Sequence, residues 1–246
     1  MEISSREGTT QGCPFSMPGY AIGILPLMSL IVGCDETHKV RQAAFADDLT
    51  GVGKLNQLLS WWKMIVHFGP YIGYYAKPSK SWLIVKEEYY NEAMEMFSDT
   101  GLNVTMEGKK HLGAVIGSNE FKTEYVKGKV LDWVKQIEVL SKFAWVSPHL
   151  AYSAYVQGFK HKFNFIFRTI PNIERDLDAL DNVIDRQFIP ALLNGRKLNA
   201  DERKLISLPV KFGGLGIGIP SEYSSSEYNN SRRITSTLVE RIKMMF

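Results

Sequence analysis

The chain has 246 residues, of which 45% are hydrophobic and 12% aromatic, enough apolar material for one large or two modest cores. Its net charge of +3 arises from 29 basic and 26 acidic residues, a balance that excludes an acidic-tail protein and is too mild to identify a polyanionic partner by itself. Two cysteines, with no Cys/His cluster at zinc spacing, exclude a disulfide framework and a zinc finger, so a reducing intracellular compartment, cytoplasmic or nuclear, is the expectation.

The opening "MEISSREGTT" lacks the apolar run of a secretory signal. A Gly/Pro/Ser loop over 8–16 leads into apolar positions at helical spacing over 18–31. The longest apolar stretch, 20–34, is interrupted by Pro26 and falls short of the ~20 residues a membrane span needs, which predicts a core helix and no membrane partner. Residues 40–46 and 49–52 are short apolar runs separated only by Asp47 and Asp48, a hairpin pattern. A helix follows over 55–68, with Leu55, Leu58, Leu59, Trp62, Ile65 and Val66 on one face. "SWLIVK" reads as a buried strand, 89–97 as a helix, and "LNVTMEGKKHLGAVIG" as two strands around a Glu107-Gly108 turn.

After about residue 118 the pattern turns helical, with helix-length segments at 125–143, 148–167 and 172–188 joined by short Pro- or Ser-containing links. "LPVKFGGLGIGIP" (208–220) is expected to be irregular, and its glycines read as a structural turn because no Lys-Ser/Thr pair follows them. "SEYSSSEYNNSRR" (221–233) reads as a polar surface loop or frayed segment before a short last helix. The fold class is therefore α+β, with regions at 1–118, 119–190 and 191–246.

Two adjacent carboxylates at a tight turn repel each other unless a cation sits between them. Mg²⁺ (or Mn²⁺) is the natural candidate, because it takes carboxylate oxygens and leaves positions open for phosphate and water. Side chains alternate along a strand, so only one aspartate is the main ligand, and a carboxylate from a neighbouring strand must complete the site. Taken alone, the dipeptide also reads as a plain polar turn. "YVQGFKHKFNFIFR" (155–168) interleaves Lys160, His161, Lys162 and Arg168 with four phenylalanines; it fits a core helix with a wet basic side, or a segment that lays its cations along a phosphate backbone.

Four blocks give these residues a context. "TQGCPFSMPGYA" (10–21), "FADD" (45–48), "KPSKSWLIV" (77–85) and "KKHLGAVIG" (109–117) stand in the order of the Gln-Gly-x-Pro-Leu/Phe-Ser loop, the Tyr/Phe-Ala-Asp-Asp signature, the Asn-x-x-Lys-Thr segment and the Lys-x-Leu-Gly hairpin of reverse transcriptases. With the Gly-Gly-Leu-Gly-Ile segment at 213–217, the chain resembles the non-LTR, LINE-like retrotransposon group of that family most closely. The resemblance implies a partial polymerase palm followed by a helical, thumb-like region, acting in its parent protein by two-metal nucleotidyl transfer on an RNA template, a DNA primer and deoxynucleotides.

By the same resemblance, Asp47 holds Mg²⁺ with Asp48 in support, Lys80 lies near the departing pyrophosphate, and Gln11, Gly12 and Phe45 serve the template base and incoming nucleotide. His111, Leu112 and Gly113 hold the primer backbone; apart from the resemblance, the residue pattern of 155–168 makes Lys160, Lys162 and Arg168 the further candidate nucleic-acid contacts. Cys13 and Lys77 depart from the family's usual Ser or Asp and Asn. The family also needs a metal-binding aspartate upstream of the Gln-Gly loop, whereas only Glu2 and Glu7 precede Gln11. The expectation is thus a C-terminal part of a catalytic domain lacking its upstream segment and inactive alone. The alternative is a non-catalytic RNA- or DNA-binding relic.

Overall fold

The computed structural model describes residues 13–33 and 40–244, and they fold as two compact units that divide between Met106 and Glu107. The architecture is mixed α+β, mostly helical, with three two-stranded sheets among the described residues.

In the first unit, helix α1 (Ser16–Gly33) precedes strands β1 (Arg41–Phe45) and β2 (Asp48–Val52), which pair antiparallel from Arg41↔Val52 to Phe45↔Asp48. Helix α2 (Leu55–Phe68) buries Trp62 and Ile65, and Ile65 closes a small core with Ile24, Leu27 and Ile31 of α1. The predicted face of α2 stops short of Val66, which is exposed. A 3-10 turn at Gly69–Ile72 and a left-handed Gly73 end the helix. Strand β3 (Trp82–Ile84), helix α3 (Tyr90–Met96) and strand β4 (Asn103–Thr105) complete the unit; β3 and β4 pair in parallel over a cluster of Leu83, Ala93 and Phe97.

Opposed residues of an antiparallel pair share a face. Gln42, Ala44, Leu49 and Gly51 therefore form the inner face of the β1–β2 hairpin. Gln42 is 4% exposed, and its amide joins three elements: its Nε2 donates to the Met28 carbonyl of α1 at 2.9 Å, and its Oε1 accepts from Trp61 Nε1 of α2 at 2.9 Å. The Trp61 ring lies 3.0 Å from where a Cβ on Gly51 would stand, so this strand position has room only for glycine unless the ring moves. Replacing Gln42 by Leu keeps the volume but leaves a part-buried indole N–H and the Met28 carbonyl without this partner; urea denaturation is expected to show a loss of about 1–2 kcal/mol.

The second unit starts with a hairpin of β5 (Gly108–His111) and β6 (Ala114–Gly117). Its turn lies at Leu112-Gly113, which corrects the Glu107-Gly108 turn expected from sequence. Residues 106–107 instead link β4, whose partner is β3, to the new hairpin. The unit boundary falls ahead of residue 118 because this hairpin packs on the helices that follow.

Helix α4 (Asn119–Ala144) is capped by Ser118, whose Oγ accepts from Phe121 N at 3.1 Å. Beyond it come α5 (Pro148–Ala154), α6 (Lys160–Thr169), α7 (Asp178–Val183), α8 (Ile189–Leu192) and α9 (Ala200–Ser207), with π-type turns at Tyr155–Phe159 and Ile184–Phe188. Val126, Val130, Trp133 and Ile137 of α4 pack with Phe163, Phe167 and Phe188 in one core; the Trp133 and Phe163 rings are 4.8 Å apart.

The segment 221–233 corrects another expectation, being part of a long helix, α10 (Pro220–Met244), rather than a loop. Three side chains within two turns of its start explain it. Tyr223 packs edge-on against Phe167, Ser224 is buried, and Glu227 binds Arg168 at 2.7 Å, so docking overrides the low helix propensity of the Ser/Asn-rich stretch. The Asp181 carboxylate accepts from Ser221 N at the start of this helix, and burial raises its pKa. Among the described residues no helix is long and apolar enough to cross a membrane.

Candidate functional site

The hairpin tip brings Asp47 and Asp48 to the surface. The alternation of β1 and β2 sends Phe45 and Asp48 to the outer face, and Asp47 sits in the turn itself; both carboxylates and the Phe45 ring are exposed. Ala46, which leads into the dyad, has φ +53, a left-handed conformation costing an L-residue with a Cβ about 1–2 kcal/mol. The turn is braced from behind by Tyr74, whose hydroxyl donates to the Asp47 carbonyl at 3.4 Å. Gly69 and Gly73 deliver Tyr74 there: the Tyr74 N–H bonds back to the Gly69 carbonyl at 2.9 Å across the left-handed Gly73.

The tip is electrostatically negative. The Tyr74 hydroxyl titrates above its ordinary range through burial, then through Tyr20, Asp47 and Asp48; Tyr20 is raised by burial and by Asp47. Sequence reasoning missed both phenols and Gln42. The strand register was a usable signal for Gln42, since it shares the inward parity of Ala44, but nothing local marks Tyr20 or Tyr74.

Two carboxylates suit one hydrated Mg²⁺ that takes its remaining ligands from water and substrate phosphates. They fall short of a two-metal centre, because no group of three His, Cys, Asp or Glu side chains among the described residues is placed to hold an ion. Lys80 closes a 3-10 turn, Pro78–Lys80, in the same unit; it is exposed, and its ammonium forms no ion pair among the described residues. Gln11 and Gly12 lie outside the described residues.

The other expected contacts fall in the second unit. His111 ends β5, and Leu112 and Gly113 form the turn, both at positive φ. A Cβ on Gly113 would stand 3.2 Å from the Phe165 ring of α6, and the Gly113 carbonyl accepts from Tyr125 of α4 at 3.4 Å, so the tip rests on two helices. Of the three basic residues on α6, Lys162 bonds Gln136 at 2.8 Å and lies over the Phe159 ring, while Arg168 is held by Glu227. Lys160 is half-buried, near Gly216. Phe163 and Phe167 are fully buried, so α6 is a core helix that carries its cations on the outer side. The Gly213–217 segment is a structural turn: Leu215 accepts from Tyr152 at 2.8 Å, and the Ile217 carbonyl accepts from Arg203 at 2.7 Å.

No protein-family model matches the chain, and no curated protein matches it by sequence.

Proposed function

We propose that this chain is part of a nucleotidyltransferase palm with a helical region behind it. Within that class, we read it as a piece of an RNA-directed DNA polymerase of the non-LTR retrotransposon type. The observation that carries the reading is the exposed aspartate pair at the tip of a hairpin, entered through a left-handed alanine and braced by Tyr74. The positive φ is the ordinary requirement of a two-residue hairpin turn; the reading rests on two exposed carboxylates presented together at one tip.

In this reading Asp47 and Asp48 hold Mg²⁺, which when bound supplies Lewis-acid stabilisation of the triphosphate's developing charge. Gln42 and Tyr74 keep the carboxylates in place from below. Phe45 offers an exposed ring beside the dyad for a nucleotide base. Lys80 brings a positive charge for the departing pyrophosphate. The Leu112-Gly113 turn, rigid on Tyr125 and Phe165, carries the primer backbone with His111, while Lys160, Lys162 and Arg168 add positive charge along α6.

Among the described residues no third carboxylate joins the pair, and this is the reason to expect an upstream polymerase segment as partner. Two further features agree. Helix α1 is apolar on nearly every side yet buries only a stripe at Ile24, Leu27 and Ile31, leaving Met17, Ile22 and Leu25 exposed. The β1–β2 hairpin has no third strand among the described residues, and two strands alone are marginal.

The isolated chain is expected to bind an RNA–DNA heteroduplex, weakening roughly ten- to fiftyfold from 50 to 200 mM salt for two to three phosphate contacts, and to incorporate no deoxynucleotide. Filter binding and primer extension with Mg²⁺ or Mn²⁺ check this. A folded chain that ignores the heteroduplex at low salt overturns the nucleic-acid reading. Binding without incorporation, even when an upstream segment is supplied, favours the non-catalytic alternative. The observation behind that alternative is that no third carboxylate among the described residues completes the site.

A further inference from the structure

A cavity of about 460 Å³ opens in the helical unit between the π-type turn Ile184–Phe188 with α8 and the segment that leads into α9. Its lining mixes the apolar Ile189, Pro190 and Leu198 with the charged Asp185, Arg186, Lys197 and Arg203. This size is within the usual range for small-ligand sites.

The charges do not cancel. Arg203, with only 11% of its side chain exposed, is fully engaged: its Nε donates to Asp185 Oδ1 at 2.6 Å, and its two terminal nitrogens donate to the Ile217 and Gly218 carbonyls at 2.7 and 3.2 Å. Arg203 thereby neutralises Asp185 and pins the glycine-rich turn. Glu202 of α9 is taken by Arg196 and by its capping box with Asn199. Arg186 and Lys197 are left with no hydrogen-bond or ion-pair partner among the described residues, both exposed at the cavity. Two cations beside apolar side chains suit an anion of charge near two attached to an apolar body.

We infer that this cavity binds a phosphate group, held by Arg186 and Lys197, with the attached ring or chain lying on Ile189, Pro190 and Leu198. An arginine fork matches phosphate oxygens in pairs, and lysine adds a point charge. The phosphate comes either from a free nucleotide-sized ligand or from the backbone of a nucleic acid. The inference does not rest on the aspartate hairpin, and its readout is binding in the absence of metal, so either reading survives the loss of the other.

The test is isothermal titration of the full chain in EDTA with four probes: adenosine monophosphate, adenosine, inorganic phosphate, and a short single-stranded RNA without terminal phosphates. The monophosphate is expected to bind about tenfold or more tightly than adenosine, with the difference abolished in Arg186→Glu/Lys197→Glu. Arg186→Ala/Lys197→Ala is the milder control, and an unchanged unfolding midpoint in either variant separates lost binding from lost folding. RNA binding that the same variants remove, without binding of the monophosphate, assigns the phosphate to a nucleic-acid backbone. Equal affinity for monophosphate and adenosine together with variant-insensitive RNA binding, or full retention of phosphate binding in both variants, overturns the inference.

Discussion

Phe167→Ala is expected to destabilise the helical unit by about 3–5 kcal/mol. The ring is fully buried and stands at the meeting point of α4, α6 and α10: it lies 6.4 Å from Trp133, 6.1 Å from Phe163 and 5.4 Å from Tyr223. Its removal leaves a cavity that the long helices α4 and α10 cannot close by small shifts. It also removes the aromatic contact that docks the Ser/Asn-rich start of α10. Guanidinium denaturation should show a lower midpoint, and amide exchange in 221–231 should accelerate beyond what global destabilisation explains. Phe167→Leu, which keeps most of the volume, should cost less than about half as much. Unchanged exchange in α10 would show that Arg168–Glu227 and Ser224 hold the helix by themselves.

The second large effect concerns the dyad. Asp47→Asn/Asp48→Asn is expected to weaken divalent-ion binding at the hairpin by at least about tenfold, because the ion loses both anionic ligands and keeps only neutral amide oxygens. Stability should change little or rise slightly, since the carboxylates are exposed neighbours of like charge. Loss of binding without loss of folding is the signature of a ligand site. Tyr74→Phe should produce a smaller loss of the same kind, by freeing the turn that Tyr74 holds through the Asp47 carbonyl.

Much of the first unit was legible because its signals are local. The break of the 40–52 run at Asp47-Asp48 gave the hairpin within a residue or two, and the spacing of Leu55 to Ile65 gave α2 to its ends. The parallel pairing of β3 with β4 was not legible, since it joins residues about twenty apart through α3, and local turn chemistry at Glu107-Gly108 competed with it. Helix α10 was hidden for the opposite reason. Its Ser and Asn residues argue for a loop locally, while Tyr223, Ser224 and Glu227 acquire meaning only against α6, which precedes them by some sixty residues.

The site divides along the same line. Asp47 and Asp48 were visible as two charges where apolar residues belong. The brace from Tyr74, the Gln42 tether and the pairing that frees Arg186 and Lys197 are tertiary facts, visible only once distant segments meet. Lys162 and Arg168 show the converse: a basic pattern plain in the sequence that the fold partly commits to its own Gln136 and Glu227.

The most direct test of the central claim is a Mn²⁺ titration of the ¹⁵N-labelled chain, with and without a deoxynucleoside triphosphate, followed by paramagnetic broadening of backbone amides. The account predicts that amides of residues 45–50 broaden first, that the triphosphate strengthens the effect, and that Asp47→Asn/Asp48→Asn abolishes it. Broadening that begins elsewhere, or that survives the double substitution at the hairpin, would contradict it.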